Sequence, residues 1–134
     1  MEAELPAKTR ISIIDDDEGF RESLTGLMRS LGFRVASFGS AMDFLGSPNV
    51  HDTRCLIADV NMPGMSGIEL HRRLAELCYS VPTILITAYP DDSIRTRALA
   101  DGVVCYLSKP FDTDVLLRCV RAALEQDSAG GAHS

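Results

Sequence analysis

Five short apolar runs, each followed by a stretch of helical periodicity, predict an α/β fold: a doubly wound five-stranded parallel sheet with five helices. Two features of the runs support this class. Leu56-Ile57-Ala58 shows no polar alternation and is soon followed by Pro63 and Gly64, which suits a strand covered on both faces. The runs also stop abruptly: Ile11 to Ile14 at Asp15, Leu56 to Ala58 at Asp59, Thr83 to Ile86 at Thr87, and Val103 to Leu107 at Ser108-Lys109. In parallel sheets, ligands sit just beyond the carboxyl ends of the strands. Asp59 occupies that position, and a carboxylate there is costly unless something positive or hydrogen-bonding meets it.

With 134 residues the chain has length for one domain with a real core and no room for a second. A hydrophobic share of 46% excludes the apolar depletion that marks disorder. The net charge of -6 argues against nucleic-acid binding by the domain itself, which needs Lys and Arg to neutralise phosphates, and it is compatible with acids gathered for a cation. Cys55, Cys78, Cys105 and Cys119 form no C-x-x-C pair, so they read as small apolar residues and not as a zinc site. No signal-peptide pattern and no membrane-length apolar run is present, and the expectation is a soluble cytoplasmic protein.

In order, residues 1–9 read as an N-terminal extension, residues 10–126 as the folded domain and residues 127–134, rich in Gly, Ala and Ser, as a flexible C-terminal tail. Ile11 to Ile14 form the first strand. Asp17 and Glu18 read as charges at the start of a helix carrying Phe20, Leu24, Leu27, Met28 and Leu31, with Gly32 placed to end it. Arg34 to Phe38 form the second strand. Ser40 with Asp43 has a capping-box pattern for a short helix that Gly46-Ser47-Pro48 ends. After the Asp59 strand, Ser66 and Glu69 repeat that pattern, and Leu70, Leu74 and Leu77 form the inward stripe. Beyond Thr87, a helix from about Asp91 to Asp101 has only the thin stripe of Ile94, Ala98 and Leu99, which makes it the least firmly held. Val103 to Leu107 form the fifth strand. Asp112 can cap a last helix with Val115, Leu116, Cys119, Val120, Ala123 and Leu124 inward. His51, His71 and His133 have no partners at ligand spacing and read as surface residues.

A parallel sheet delivers every strand end to one edge, so Asp15, Asp16, Asp59, Thr87 and Lys109 should converge there. Three adjacent carboxylates repel and raise one another's pKa unless a cation neutralises them. Oxygen ligands favour Mg²⁺, Mn²⁺ or Ca²⁺ over zinc, and Mg²⁺ typically leaves positions for waters and phosphate oxygens.

The order Asp15-Asp16, Asp59 with Met62-Pro63, Thr87-Ala88, and Lys109-Pro110-Phe111 resembles the receiver domain of two-component response regulators. Met62 to Gly67 is similar to the nitrogen-fixation regulator subfamily, whose receivers usually precede a helix-turn-helix DNA-binding domain. The resemblance implies the flavodoxin-like strand order 2-1-3-4-5. It implies Asp59 as acceptor of a phosphoryl group from a sensor histidine kinase, and a Mg²⁺ ion held by Asp16, Asp59 and the backbone carbonyl of Asn61, with Asp15 acting through a water. It further implies Lys109 paired with Asp59 and then with the phosphoryl oxygens, Thr87 swinging in to bond the phosphoryl group, and Tyr106 turning inward with it. The readout would be the face made by the fourth helix, fifth strand and fifth helix, with a phosphorylation-dependent homodimer as one outcome. Such a domain is a switch, with self-phosphorylation and autodephosphorylation as its only chemistry.

Two departures bear on the switching: Pro90 stands where many relatives have Gly and should stiffen the loop after Thr87, and Cys105 replaces a frequent acid beside Tyr106. Rival functions fit less well. A Mg²⁺-dependent phosphohydrolase would place a second acid at residue 61, which is Asn, and a flavin-binding protein needs a small-residue phosphate loop after Ile14, where this chain has acids. A phosphorylation-independent docking module with a relic acidic site stays open as the alternative.

Overall fold

The computed structural model describes residues 9–133, and side chains as far as residue 126, so most of the expected N-terminal extension and Ser134 of the expected tail lie outside the described residues. Its elements are β1 (Arg10–Ile14), α1 (Glu18–Ser30), β2 (Arg34–Phe38), α2 (Ala41–Leu45), a 3₁₀ turn (Pro48–Val50), β3 (Thr53–Asp59), α3 (Gly67–Glu76), β4 (Thr83–Thr87), α4 (Asp92–Ala100), β5 (Cys105–Ser108) and α5 (Thr113–His133). All strand pairs are parallel and the order is β2-β1-β3-β4-β5, as the resemblance implies. The backbone of α5 continues as helix through residues whose Gly and Ser content favours a tail.

The central strands β1, β3 and β4 are buried on both sides because helices cover both faces of the sheet, whereas the edge strands β2 and β5 are partly exposed. On one face Ile11, Ile13, Ile57, Ile84 and Ile86 pack with Leu24 and Met28 of α1 and Leu116 and Val120 of α5. On the other, Ile14, Leu56, Ala58 and Leu85 meet Phe44 of α2, Leu70 and Leu74 of α3, and Ala98 of α4. Successive strand residues alternate between the two cores, as period-two geometry requires. Cys55 and Cys119 belong to the first core, and burial pushes both thiols up in pKa, so they act as apolar residues as the sequence suggests. Cys78 is the exposed exception.

The helix starts follow the sequence closely. Asp17 accepts from the Phe20 amide at α1, and Ser66 with Glu69 forms a complete capping box at α3. Ser40 caps α2 by accepting from the Asp43 amide, and Asp91 caps α4 by accepting from Ser93 and Ile94. Asp112 serves α5 through its carbonyl, which accepts from the Val115 and Leu116 amides.

Helix ends explain the departures from the expected pattern. α1, α3 and α4 all close with paired bonds in which the third residue past the helix reaches back to the third from its end: Phe33 to Met28, Tyr79 to Leu74 and Val103 to Ala98. The last of these takes the Val103 amide, so β5 starts at Cys105 and not at Val103. Leu77 is the residue on which α3 turns and is 48% exposed, outside the stripe it was expected to join. Leu99 is likewise exposed, leaving Ala98 as the one fully buried side chain of α4, in keeping with its thin stripe. His71 is half-buried, contrary to the surface reading; burial lowers its pKa while Asp101 opposes the shift.

Two positions make the backbone demands of this fold measurable. The left-handed residue that closes α1 is Gly32 and that closing α4 is Gly102, but α3 uses Cys78 at φ 65°. A non-glycine residue in this region costs about 1–2 kcal/mol, so Cys78→Gly should raise stability by up to about 1 kcal/mol, read as a higher urea midpoint at unchanged m. At the other end of α3, a Cβ on Gly67 would lie 2.5 Å from the Asp59 carbonyl oxygen and 3.0 Å from Leu85 Cδ2. Gly67→Ala should therefore cost about 1–3 kcal/mol in the same titration, as overpacking against backbone does.

Candidate functional site

The register brings the polar strand ends level with one another. Ile14 pairs with Ala58, so Asp15 and Asp59 follow side by side on adjacent strands. Thr87 pairs with Ser108, and two bonds carry the ladder past the strands: the Val60 amide donates to the Ile86 carbonyl at 2.8 Å and the Lys109 amide to the Thr87 carbonyl at 2.7 Å. Asp59 and Lys109 are thus set on a continuous backbone scaffold and not on free loops.

Carboxylate oxygens of Asp15, Asp16 and Asp59 all lie within 4.8 Å of one another. Asp15 is 1% exposed and Asp59 7%, whereas Asp16 faces solvent. Their partners are specific. Asp15 accepts from the Asp17 amide at 2.9 Å and from Lys109 Nζ at 3.1 Å, and its carbonyl accepts from Arg21 Nη1 at 2.6 Å. Asp59 accepts from the Asn61 amide at 3.3 Å, and Lys109 Nζ stands 3.9 Å away. The ammonium is therefore shared between two acids with Asp15 the nearer. It also lies 4.1 Å from the centroid of the Phe20 ring, which stacks edge-on against Phe111. Of the five residues that the strand-end argument selected, Asp15, Asp16, Asp59 and Lys109 form one cluster, and Thr87 stands at the next strand end with its hydroxyl on Asn61.

Burial raises the Asp59 pKa first of all, and the charge of Asp15 adds to it; Lys109 and the Asn61 amide pull it down, and Asp16 raises it slightly further. One ammonium facing three carboxylates leaves the cluster negative when all are ionised. All the donors are hard oxygens at one strand edge, and this set fits a divalent cation of the Mg²⁺ class.

Thr87 is fully buried, and its hydroxyl donates to Asn61 Oδ1 at 2.7 Å while accepting from the Tyr89 amide at 2.9 Å. Tyr106 is half-buried against the second core, and its hydroxyl accepts from the Asp91 amide at the start of α4. Sequence reasoning missed Phe20 and Arg21 as contacts of the site and the Asn61 side chain as a partner of Thr87. Phe20 falls on the apolar stripe of α1, where nothing in the spacing separates a core ring from one beneath an ammonium.

The model of the response regulator receiver domain matches residues 11–121. Nodulation protein W of Bradyrhizobium diazoefficiens is 42% identical over 124 residues, covering 92% of this chain and 55% of that protein. A solved structure of the response regulator StyR superimposes with a TM-score of 0.87 at 36% identity, over 94% of this chain and 64% of that one. The crystal structure of FixJ-N gives 0.79 at 35% identity, over 88% and 94%. The chain spans about half the length of the curated relatives it matches.

The raised Asp59 pKa has a direct stability consequence. Between the unfolded and folded values the native state holds more protons than the unfolded one, so stability falls as pH rises through that window and the loss persists above it. Asp59→Asn should therefore melt higher than the parent at neutral pH in chelator-containing buffer. The gap should close on acidification toward the ordinary aspartate range; thermal melts across the pH series measure both.

Proposed function

This chain belongs to the response regulator receiver domain family, and on that premise we propose that it is a phosphoacceptor switch of a two-component system, with Asp59 as the acceptor. The observation that carries the reading is the placement of a nearly buried Asp59 between two further acids and a shared ammonium at the sheet edge, with the Thr87 hydroxyl at the next strand end. A sensor histidine kinase would be the donor. An Asp59 carboxylate oxygen attacks the phosphorus of the phosphohistidine; the O–P bond forms as the P–N bond breaks, and the electron pair leaves with the imidazole nitrogen, which takes up a proton.

Desolvation and the Asp15 charge make the Asp59 carboxylate more basic than an ordinary one, which suits a nucleophile, while Lys109 keeps it ionised enough to attack. Lys109 then follows the charge onto the phosphoryl oxygens, a short step for an ammonium already shared between two acids. Asp16, Asp59 and the Asn61 carbonyl would hold Mg²⁺, with Asp15 supporting it through a water, and the ion would supply charge neutralisation for the phosphoryl group. Thr87 moves to bond the phosphoryl group, and Tyr106 gives up its hold on the Asp91 amide, which loosens the start of α4. The α4, β5 and α5 face carries the change to an output partner such as a helix-turn-helix DNA-binding domain, with a homodimer through that face as one form of readout. The chemistry is confined to self-phosphorylation and autodephosphorylation, and a cytoplasmic setting suits a kinase-fed switch; no helix among the described residues is long and apolar enough to cross a membrane.

Incubation with Mg²⁺ and acetyl phosphate, read by intact mass, tests the assignment. One added phosphoryl group is expected for the parent protein and none for Asp59→Asn or for the parent in excess chelator. Absence of the adduct together with failure to bind beryllium fluoride would leave a relic site on a docking module.

A further inference from the structure

The Thr87 hydroxyl carries one proton, and that proton is already committed to the Asn61 side chain at 2.7 Å. A hydroxyl that must donate to a phosphoryl oxygen on Asp59 therefore has to withdraw from Asn61 first. Its second contact is of another kind. The Tyr89 amide lies two residues away on the same loop and can travel with Thr87, whereas Asn61 lies 26 residues away on the loop after β3. Of the two bonds, only the one to Asn61 ties the switch residue to a separate part of the chain. Asn61 also touches the acceptor, since its main-chain amide donates to Asp59 Oδ1 at 3.3 Å.

We propose that the Asn61 side chain is the latch that holds Thr87 in its resting position, a positioning residue that sets how readily a phosphoryl group on Asp59 recruits the Thr87 hydroxyl. The inference rests on the phosphoacceptor reading and deepens it. Asn61 is exposed, so water can take the place of Thr87 on its amide oxygen while the buried Thr87 hydroxyl passes to the phosphoryl oxygen, and the latch opens without leaving a buried group unpaired. Through one residue, the main-chain contact with Asp59 and the side-chain contact with Thr87 become parts of a single linkage. A change at the acceptor then reaches the switch residue before any packed side chain moves.

The test uses the full chain in two arms. Three-bond couplings of the ¹³C-labelled Thr87 methyl report its χ1 rotamer without Mg²⁺ or a phosphoryl mimic; a single rotamer is expected for the parent, averaging for Asn61→Ala, and a single rotamer again for Asn61→Asp, which keeps the accepting oxygen. Titration with beryllium fluoride and Mg²⁺ should give binding about 2- to 12-fold tighter for Asn61→Ala, the equilibrium worth of one neutral hydrogen bond, and this gain should vanish in a Thr87→Val background. A parent-like rotamer in Asn61→Ala overturns the latch, as does an equal gain in the Thr87→Val background. A parent protein that binds no beryllium fluoride would instead overturn the phosphoacceptor reading, and the rotamer arm would still decide whether Asn61 holds Thr87.

Discussion

Three carboxylates share one end of the sheet with a single ammonium, and most of the architecture around them manages that imbalance. Two of the acids are nearly out of contact with water, where unpaired charge is at its most costly. The surroundings answer with the donors that fit: the Asp17 amide on Asp15, the Asn61 amide on Asp59, and Lys109 between the two acids and above the Phe20 ring. These partners reduce the repulsion without cancelling it. The cluster thus stays net negative when its acids are ionised, a field that suits a divalent cation.

The parallel sheet makes this arrangement inexpensive in chain length. Asp15, Asp59, Thr87 and Lys109 are separated, each from the next, by 22 to 44 residues in sequence, yet each stands at the end of a strand whose neighbours fix its height to one residue. Apolar cores on both faces hold the strands, so the polar edge is positioned by packing that takes no part in the chemistry. Stability and function are drawn from different residues. Phe20, packed on the first core beneath Lys109, and Gly67, against the Asp59 backbone, are exceptions where packing and the site meet directly.

Much of this is legible from the residues alone because the two periodicities are strong. Runs such as Ile11 to Ile14 and Thr83 to Ile86 have one reading once both faces are covered, and a polar residue closing a parallel strand has one destination. What the sequence hides is decided by local geometry. Val103 looks like strand and is taken by the closure of α4, while Leu77 looks like core and lies on the turn that ends α3. Within the site, residue types identify Lys109 and Thr87, but the preference of Lys109 for Asp15 and the Asn61 contact of Thr87 depend on rotamers and loop paths that no spacing rule encodes.

The close approach of Gly67 to the Asp59 carbonyl also sets a mechanical asymmetry. On that side Asp59 is braced: its backbone abuts the first residue of a helix held by a complete capping box and by Leu70 and Leu74 in the core. On the same face of the sheet stands α4, with Ala98 as its single fully buried side chain. The two helices of this face are thus anchored unequally, α3 by Gly67, Leu70 and Leu74 and α4 by Ala98 alone. This unequal anchoring is a property of the resting framework, set by packing and capping alone.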